Sequence, residues 1–118
     1  MISDMAFSAD SKQLIFIAGS PDTGRNADNS LIALDLASGN DFRIKRGRFA
    51  PGIAVAPDGS AVVAMDFQVV EDERQPPYLD LVSINIETSE TTLLFEGADI
   101  VDGKVTNQRF AKPISWRP

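Results

Sequence analysis

The sequence predicts an all-β fold: a β-propeller segment made of two four-stranded antiparallel meander blades and the first strand of a third. Three observations carry this. Ile53 to Ala56, the turn Pro57-Asp58-Gly59 and Ala61 to Met65 form an apolar run, a turn and a second apolar run. Forty-eight positions earlier, Met5 to Phe7, Ala9-Asp10-Ser11 and Gln13 to Ile17 show the same pattern, and Ile114-Ser115-Trp116 begins it a third time. No segment carries helical periodicity over eleven residues, and a period of about 48 residues with four strands per unit points to radially stacked four-stranded blades. A β-sandwich is the competing architecture, but a sandwich needs no internal repeat.

In the first unit, a short strand from Ser3 to Phe7 and a turn at Ala9 to Lys12 lead into Gln13 to Ala18, too short and too β-branched for a helix. The segment from Gly19 to Asn29 is rich in Gly, Asp and Asn, and reads as a long loop. Leu31 to Leu36 is the third strand, with Ile32, Leu34 and Leu36 on one face. Ala37-Ser38-Gly39-Asn40 turns the chain into Asp41 to Lys45. The second unit copies this as Pro51 to Ala56, Ala61 to Phe67, Leu79 to Ile86 and Thr91 to Phe95. Its third strand follows the first unit's at an offset of fifty, so the preceding loop has grown by two residues, as loops do in stacked repeats. The run Ala61 to Met65 is apolar throughout, as expected of a blade packed on both faces. Asp102-Gly103 between β-branched pairs predicts a small hairpin over 98–106. The expected units are residues 1–47, 48–97 and a partial third at 110–118, within a single domain.

Composition narrows the function classes. At 118 residues with 43% apolar and 24% charged residues, the chain suffices for one modest core. Eleven basic and seventeen acidic residues give a net charge of −6, which disfavours nucleic acid phosphates and anionic lipid. No apolar run approaches the ~20 residues that span a bilayer, so no membrane insertion is expected and the chain reads as soluble. With no His and no Cys, the Ser-His-Asp and Cys-His arrangements, disulfides and the usual zinc sites cannot be built from this chain. Asp22, Asn26 and Asp28 share a loop, but the EF-hand pattern fails at Gly24 and Ala27. The acids Glu71, Asp72 and Glu73 sit on a Pro-flanked loop and read as solvated. No catalytic residue, metal or cofactor is therefore expected.

The residues Val55-Ala56-Pro57-Asp58-Gly59-Ser60-Ala61-Val62-Val63-Ala64, followed by Leu81 to Thr88, resemble the repeat of TolB-like β-propellers. Ala37-Ser38-Gly39 fits the family's closing turn; Thr88-Ser89-Glu90 lacks its glycine, and Ala9-Asp10-Ser11 lacks both Pro and Gly. The resemblance covers nearly the whole chain. It implies a non-catalytic scaffold or protein-binding module, and a periplasmic or extracellular location if an export signal lies upstream. It equally admits the propeller of a prolyl-oligopeptidase-like peptidase whose catalytic domain lies elsewhere.

In a meander, alternate connections share an end of the sheet. The short turns at 8–12, 38–40, 57–60 and 88–90 fall at one rim; the long segments 19–29, 47–51, 68–78 and 96–112 fall at the other. Binding residues concentrate on loops held by a rigid scaffold, so the elaborated rim is the expected binding face. Its candidate contacts are Arg25, Arg48, Glu71, Arg74 and Tyr78, since Arg and aromatic side chains dominate interface hot spots. Asp10 and Asp58 are read as turn formers, and Trp116 as a core residue. Two blades cannot close a ring, so the expected partners are a protein at the rim and either further blades or further copies in a homo-oligomer.

Overall fold

The computed structural model describes residues 2–8, 11–19, 28–72 and 74–109. The strands are β1 (Ile2–Phe7), β2 (Gln13–Gly19), β3 (Asn29–Asp35), β4 (Asp41–Gly47), β5 (Phe49–Val55), β6 (Ala61–Gln68), β7 (Tyr78–Asn85), β8 (Thr91–Phe95), β9 (Asp99–Val101) and β10 (Lys104–Thr106). They form two four-stranded antiparallel meanders, β1-β2-β3-β4 and β5-β6-β7-β8, and a two-stranded hairpin of β9 and β10. The all-β fold, the meander order and the Asp102-Gly103 hairpin are as expected. The expected start of a third unit, with Trp116, lies outside the described residues.

The two sheets repeat each other bond by bond. Ser8 N–H donates to Gln13 O and Leu36 N–H to Lys12 O; Ala56 N–H donates to Ala61 O and Ile86 N–H to Ser60 O. At the next turn Asp35 Oδ1 accepts from the backbone N–H groups of Ala37 and Ser38, and Asn85 Oδ1 accepts the same pair from Glu87 and Thr88. The left-handed positions recur too: φ is 58° at Ser11 and 75° at Gly59, and 75° at Gly39 and 66° at Ser89. The turns that lack the expected glycine thus keep glycine-like geometry on serine.

Antiparallel register decides which side chains share a face. Ile15 lies opposite Ala33 and Ile17 opposite Leu31, and all four are fully buried. This face packs on Ile53, Val62, Ala64, Val82 and Ile84 of the second sheet, with Ile44 and Phe49 completing the core. Ile32 and Leu34 share a face of β3 as expected, but it is not the core face: Leu31 and Ala33 are buried, while Ile32 and Leu34 are half-buried on the other side and Leu36 is exposed. The strand is apolar on both faces, so composition could not pick one. In β6 both faces are indeed buried, Val62 and Ala64 toward the first sheet and Val63 and Met65 away from it.

Polar side chains pin the seam between the sheets. The Asn29 amide bonds both backbone groups of Phe49: Nδ2 donates to Phe49 O at 2.8 Å, and Oδ1 accepts from Phe49 N–H at 2.8 Å. Asp4 Oδ2 accepts from Gly52 and Ile53 N–H at 2.7 and 3.0 Å, where β5 bulges between Ala50 and Ile53. At the outer strands, Ser89 Oγ donates to Ile44 O, a carbonyl at the β4 irregularity, and Lys45 Nζ donates to Thr91 Oγ1. The chain leaves the second sheet through Gly97, whose N–H donates to Asp80 Oδ1. A Cβ at Gly97 would stand 1.8 Å from Leu79 O, so this exit accepts only glycine without a backbone shift.

Candidate protein-binding rim

Strand direction places the ends of β4, β6 and the starts of β5 and β7 at one rim. Arg48 is the single residue between β4 and β5, and its carbonyl accepts from Phe67 N–H at 2.8 Å, which ties the connection to the end of β6. Gln68, the last residue of β6, lies opposite Tyr78, the first of β7. Arg48 and Tyr78 therefore flank the same strand end. Arg74 sits in the β6–β7 loop, where its guanidinium makes two bonds at 3.1 Å to both oxygens of Asp72, and the side chain is otherwise almost wholly exposed. Glu71 is exposed on the same loop. Arg25 lies outside the described residues, as do Asp22, Asn26 and Glu73.

Asp28 carries a carboxylate shared by two guanidiniums, Arg46 at 3.1 Å and Arg48 at 3.7 Å. Next to it in sequence, Asn29 fixes the start of β5, so this charge cluster stands on the seam itself. Further into the seam, Asp66 and Asp80 face each other across β6 and β7. Burial first, and then the neighbouring Asp80 carboxylate, raise the Asp66 carboxyl above the ordinary carboxylate range; Lys45, the Gln68 amide and Arg48 work in the opposite direction. Gln68 Nε2 donates to Asp66 Oδ2 at 2.9 Å. Partial burial together with the Asp80 and Glu96 charges raises the Tyr78 phenol, so it presents a neutral O–H at physiological pH. The hairpin β9–β10 closes the far side of the rim: Val105 N–H donates to Gln75 Oε1, Gln108 Nε2 to Pro77 O, and Arg109 pairs with Asp99 at 3.1 Å while lying over the Phe95 ring.

The structure thus brings Arg48 and Tyr78 to one strand end and leaves Glu71 and Arg74 on the loop above it. Sequence reasoning missed Lys45, Asp66 and Asp80 as a group, because a cross-strand pair needs the register. It also missed Asn29 and Asp4. Both are polar residues where the repeat-equivalent positions hold Leu79 and Gly52, and that departure was the available signal. Among the described residues, no group of three or more acidic side chains is placed to hold a metal, and no helix is long and apolar enough to cross a membrane.

No family model matches the chain, and no curated protein matches its sequence. Among solved structures, the chain is similar to TolB from Acinetobacter baumannii, with a TM-score of 0.63 and 16% sequence identity over 86% of this chain. The likeness spans 23% of the length of that protein. At this identity it shows the fold: the two meanders are arranged as in a TolB-like β-propeller.

Proposed function

We propose that the chain belongs to a larger or oligomeric β-propeller and acts as a non-catalytic scaffold that binds protein through the rim holding Arg48, Glu71, Arg74 and Tyr78. The observation that supports it is an equivalence between two faces. The outer face of the first sheet presents Met5, Phe7, Leu14, Phe16, Ile32 and Leu34, the repeat counterparts of Ile53, Val55, Val62, Ala64, Val82 and Ile84. The second set packs on the neighbouring sheet, whereas Met5 and Phe7 are 52% and 59% exposed. The same apolar pattern on a face where Met5 and Phe7 are exposed supports a place beside a further blade or copy. Blades in a ring turn their rims to solvent, which leaves the rim for partner recognition. Arg25, which precedes β3 in the sequence and lies outside the described residues, is included in this reading. Residues 1–47 and 48–97 are the two blades, and 110–118 begins a third.

A photo-crosslinking amino acid placed at Tyr78, with one at Thr92 on the exposed β8 edge as reference, tests the rim in cells making the protein. The expected result is an adduct of discrete mass at position 78, with a protein other than this chain, that Arg48→Glu abolishes. Adducts at 78 no stronger than those at 92 would overturn the reading.

A further inference from the structure

The opposite rim carries a feature that the turn chemistry does not account for. Two contiguous clefts, of about 720 and about 320 Å³, run along the seam where the β1–β2 and β5–β6 turns meet the β3–β4 and β7–β8 turns. Gln13 and Gly59 belong to both, so the clefts form one groove. Its apolar contacts are Leu36 and Phe42, 45% and 46% exposed. Its acids are Asp35, Asp58 and Glu87, with Asp41 at the start of β4 and Glu90 on the β7–β8 turn. Lys12 is the one base on the described turns of this rim.

The charges of Asp35 and Glu87 are surplus to the fold. Asp35 and Asn85 hold the same turn with the same two bonds, so the turn needs an oxygen acceptor and no charge. Glu87 stands where the first unit has Ala37. Asp58 stays ionised well below neutral pH, because the Ser60 hydroxyl and N–H both donate to its Oδ1. An open groove with large apolar contacts and fixed negative charge matches an extended segment that alternates apolar and basic side chains.

We infer that the seam groove at the short-turn rim is a docking site for an extended basic–apolar peptide segment of a partner protein. The apolar side chains meet Leu36 and Phe42, and the cationic ones meet Asp35, Asp58 and Glu87. This surface lies at the opposite end of the sheets from the rim of the preceding proposal and stands or falls separately.

The test is fluorescence anisotropy at low salt with a labelled peptide of about eight residues alternating leucine and arginine, against its leucine–glutamate counterpart. The arginine peptide is expected to bind and the glutamate peptide to fail. The combined variant Asp35→Asn, Asp58→Asn, Glu87→Gln keeps the turn acceptors and is expected to weaken binding roughly tenfold. Glu96→Gln with Asp102→Asn, two exposed acids outside the groove, leaves it within about twofold. An unchanged urea midpoint for the triple variant shows that the loss is not unfolding. Equal binding of both peptides, unchanged affinity in the triple variant, or no binding at about millimolar peptide would each overturn the inference. So would self-association that the triple variant abolishes, since the occupant would then be a second copy.

Discussion

Replacing the Asn29 amide by an isosteric carboxyl, Asn29→Asp, isolates what the seam clamp contributes. The Phe49 N–H keeps its acceptor at 2.8 Å, but the donor to Phe49 O becomes an anionic oxygen held 2.8 Å from a carbonyl. A lost bond contributes about 1 kcal/mol and a carbonyl left without a donor another 1–3 kcal/mol; the site is only half-buried, so a deficit of about 2 kcal/mol is expected at neutral pH. The deficit is pH-dependent with a defined sign. Only the protonated carboxyl can donate to Phe49 O, so its folded pKa rises above the ordinary value of about 3.9. A raised folded pKa means that the folded state holds more protons than the unfolded state, and stability falls as pH rises through that window. The guanidiniums beside Asp28 favour the charged form and narrow the window. Urea unfolding of the variant and the parent, compared at each pH, should show near-equal stability at about pH 3 and the full deficit at about pH 7. Equal stability at neutral pH, or a deficit that does not change with pH, would refute the clamp.

Two further outcomes follow from the turns and the half-buried acid Asp66. Ser11 and Gly59 are repeat counterparts with left-handed φ, and a Cβ at Gly59 meets nothing within 4 Å, so exchange tests backbone conformation alone. Ser11→Gly should raise stability and Gly59→Ser should lower it, each by about 1 kcal/mol in urea unfolding; changes of the same sign would sink the reading. Asp66 has a raised carboxyl, so its protonated form contributes stability below the ordinary carboxylate range, and that is lost as pH rises through the folded value. Asp66→Asn should therefore stabilise the protein at neutral pH, with the gain disappearing in acid. A less stable variant at neutral pH would mean that attraction to Lys45 and Arg48 outweighs burial and Asp80.

The strand order and the hairpin at Asp102-Gly103 were legible because they rest on local signals: period-two apolar runs, turn residues and an internal offset. What stayed hidden depends on register or on distant backbone. The apolar faces of β3 could not be ranked, because Leu31, Ile32, Ala33 and Leu34 are all apolar and only the pairing Leu31 to Ile17 decides which is inside. Asn29 reaches twenty positions and Asp4 forty-eight to bond backbone groups, and no short-range pattern encodes such a reach. The glycine-free turns show the opposite case. Proline and glycine mark a turn when present, but Ser11 and Ser89 take the same left-handed geometry because the flanking strands impose it.

A repeat supplies its own control experiment, since a residue the fold requires should recur in kind at the equivalent position. The turn acceptors pass this test: Asp35 matches Asn85, and Asp58 matches Asp10 in sequence. The residues at the seam fail it, with Asp4 against Gly52 and Asn29 against Leu79, so the junction between the first and second sheets is built differently from the exit of the second. There, Asp80 bonds Gly97 N–H and the Leu79 carbonyl crowds the glycine. A generic stack of identical blades would need no such differences. The polar contacts at this junction are therefore particular to it, laid over an apolar pattern that both sheets share. The same comparison separates scaffold from recognition at the rims: where the counterpart of an acid is Asn or Ala, as at Asp35 and Glu87, the negative charge is not there for the fold.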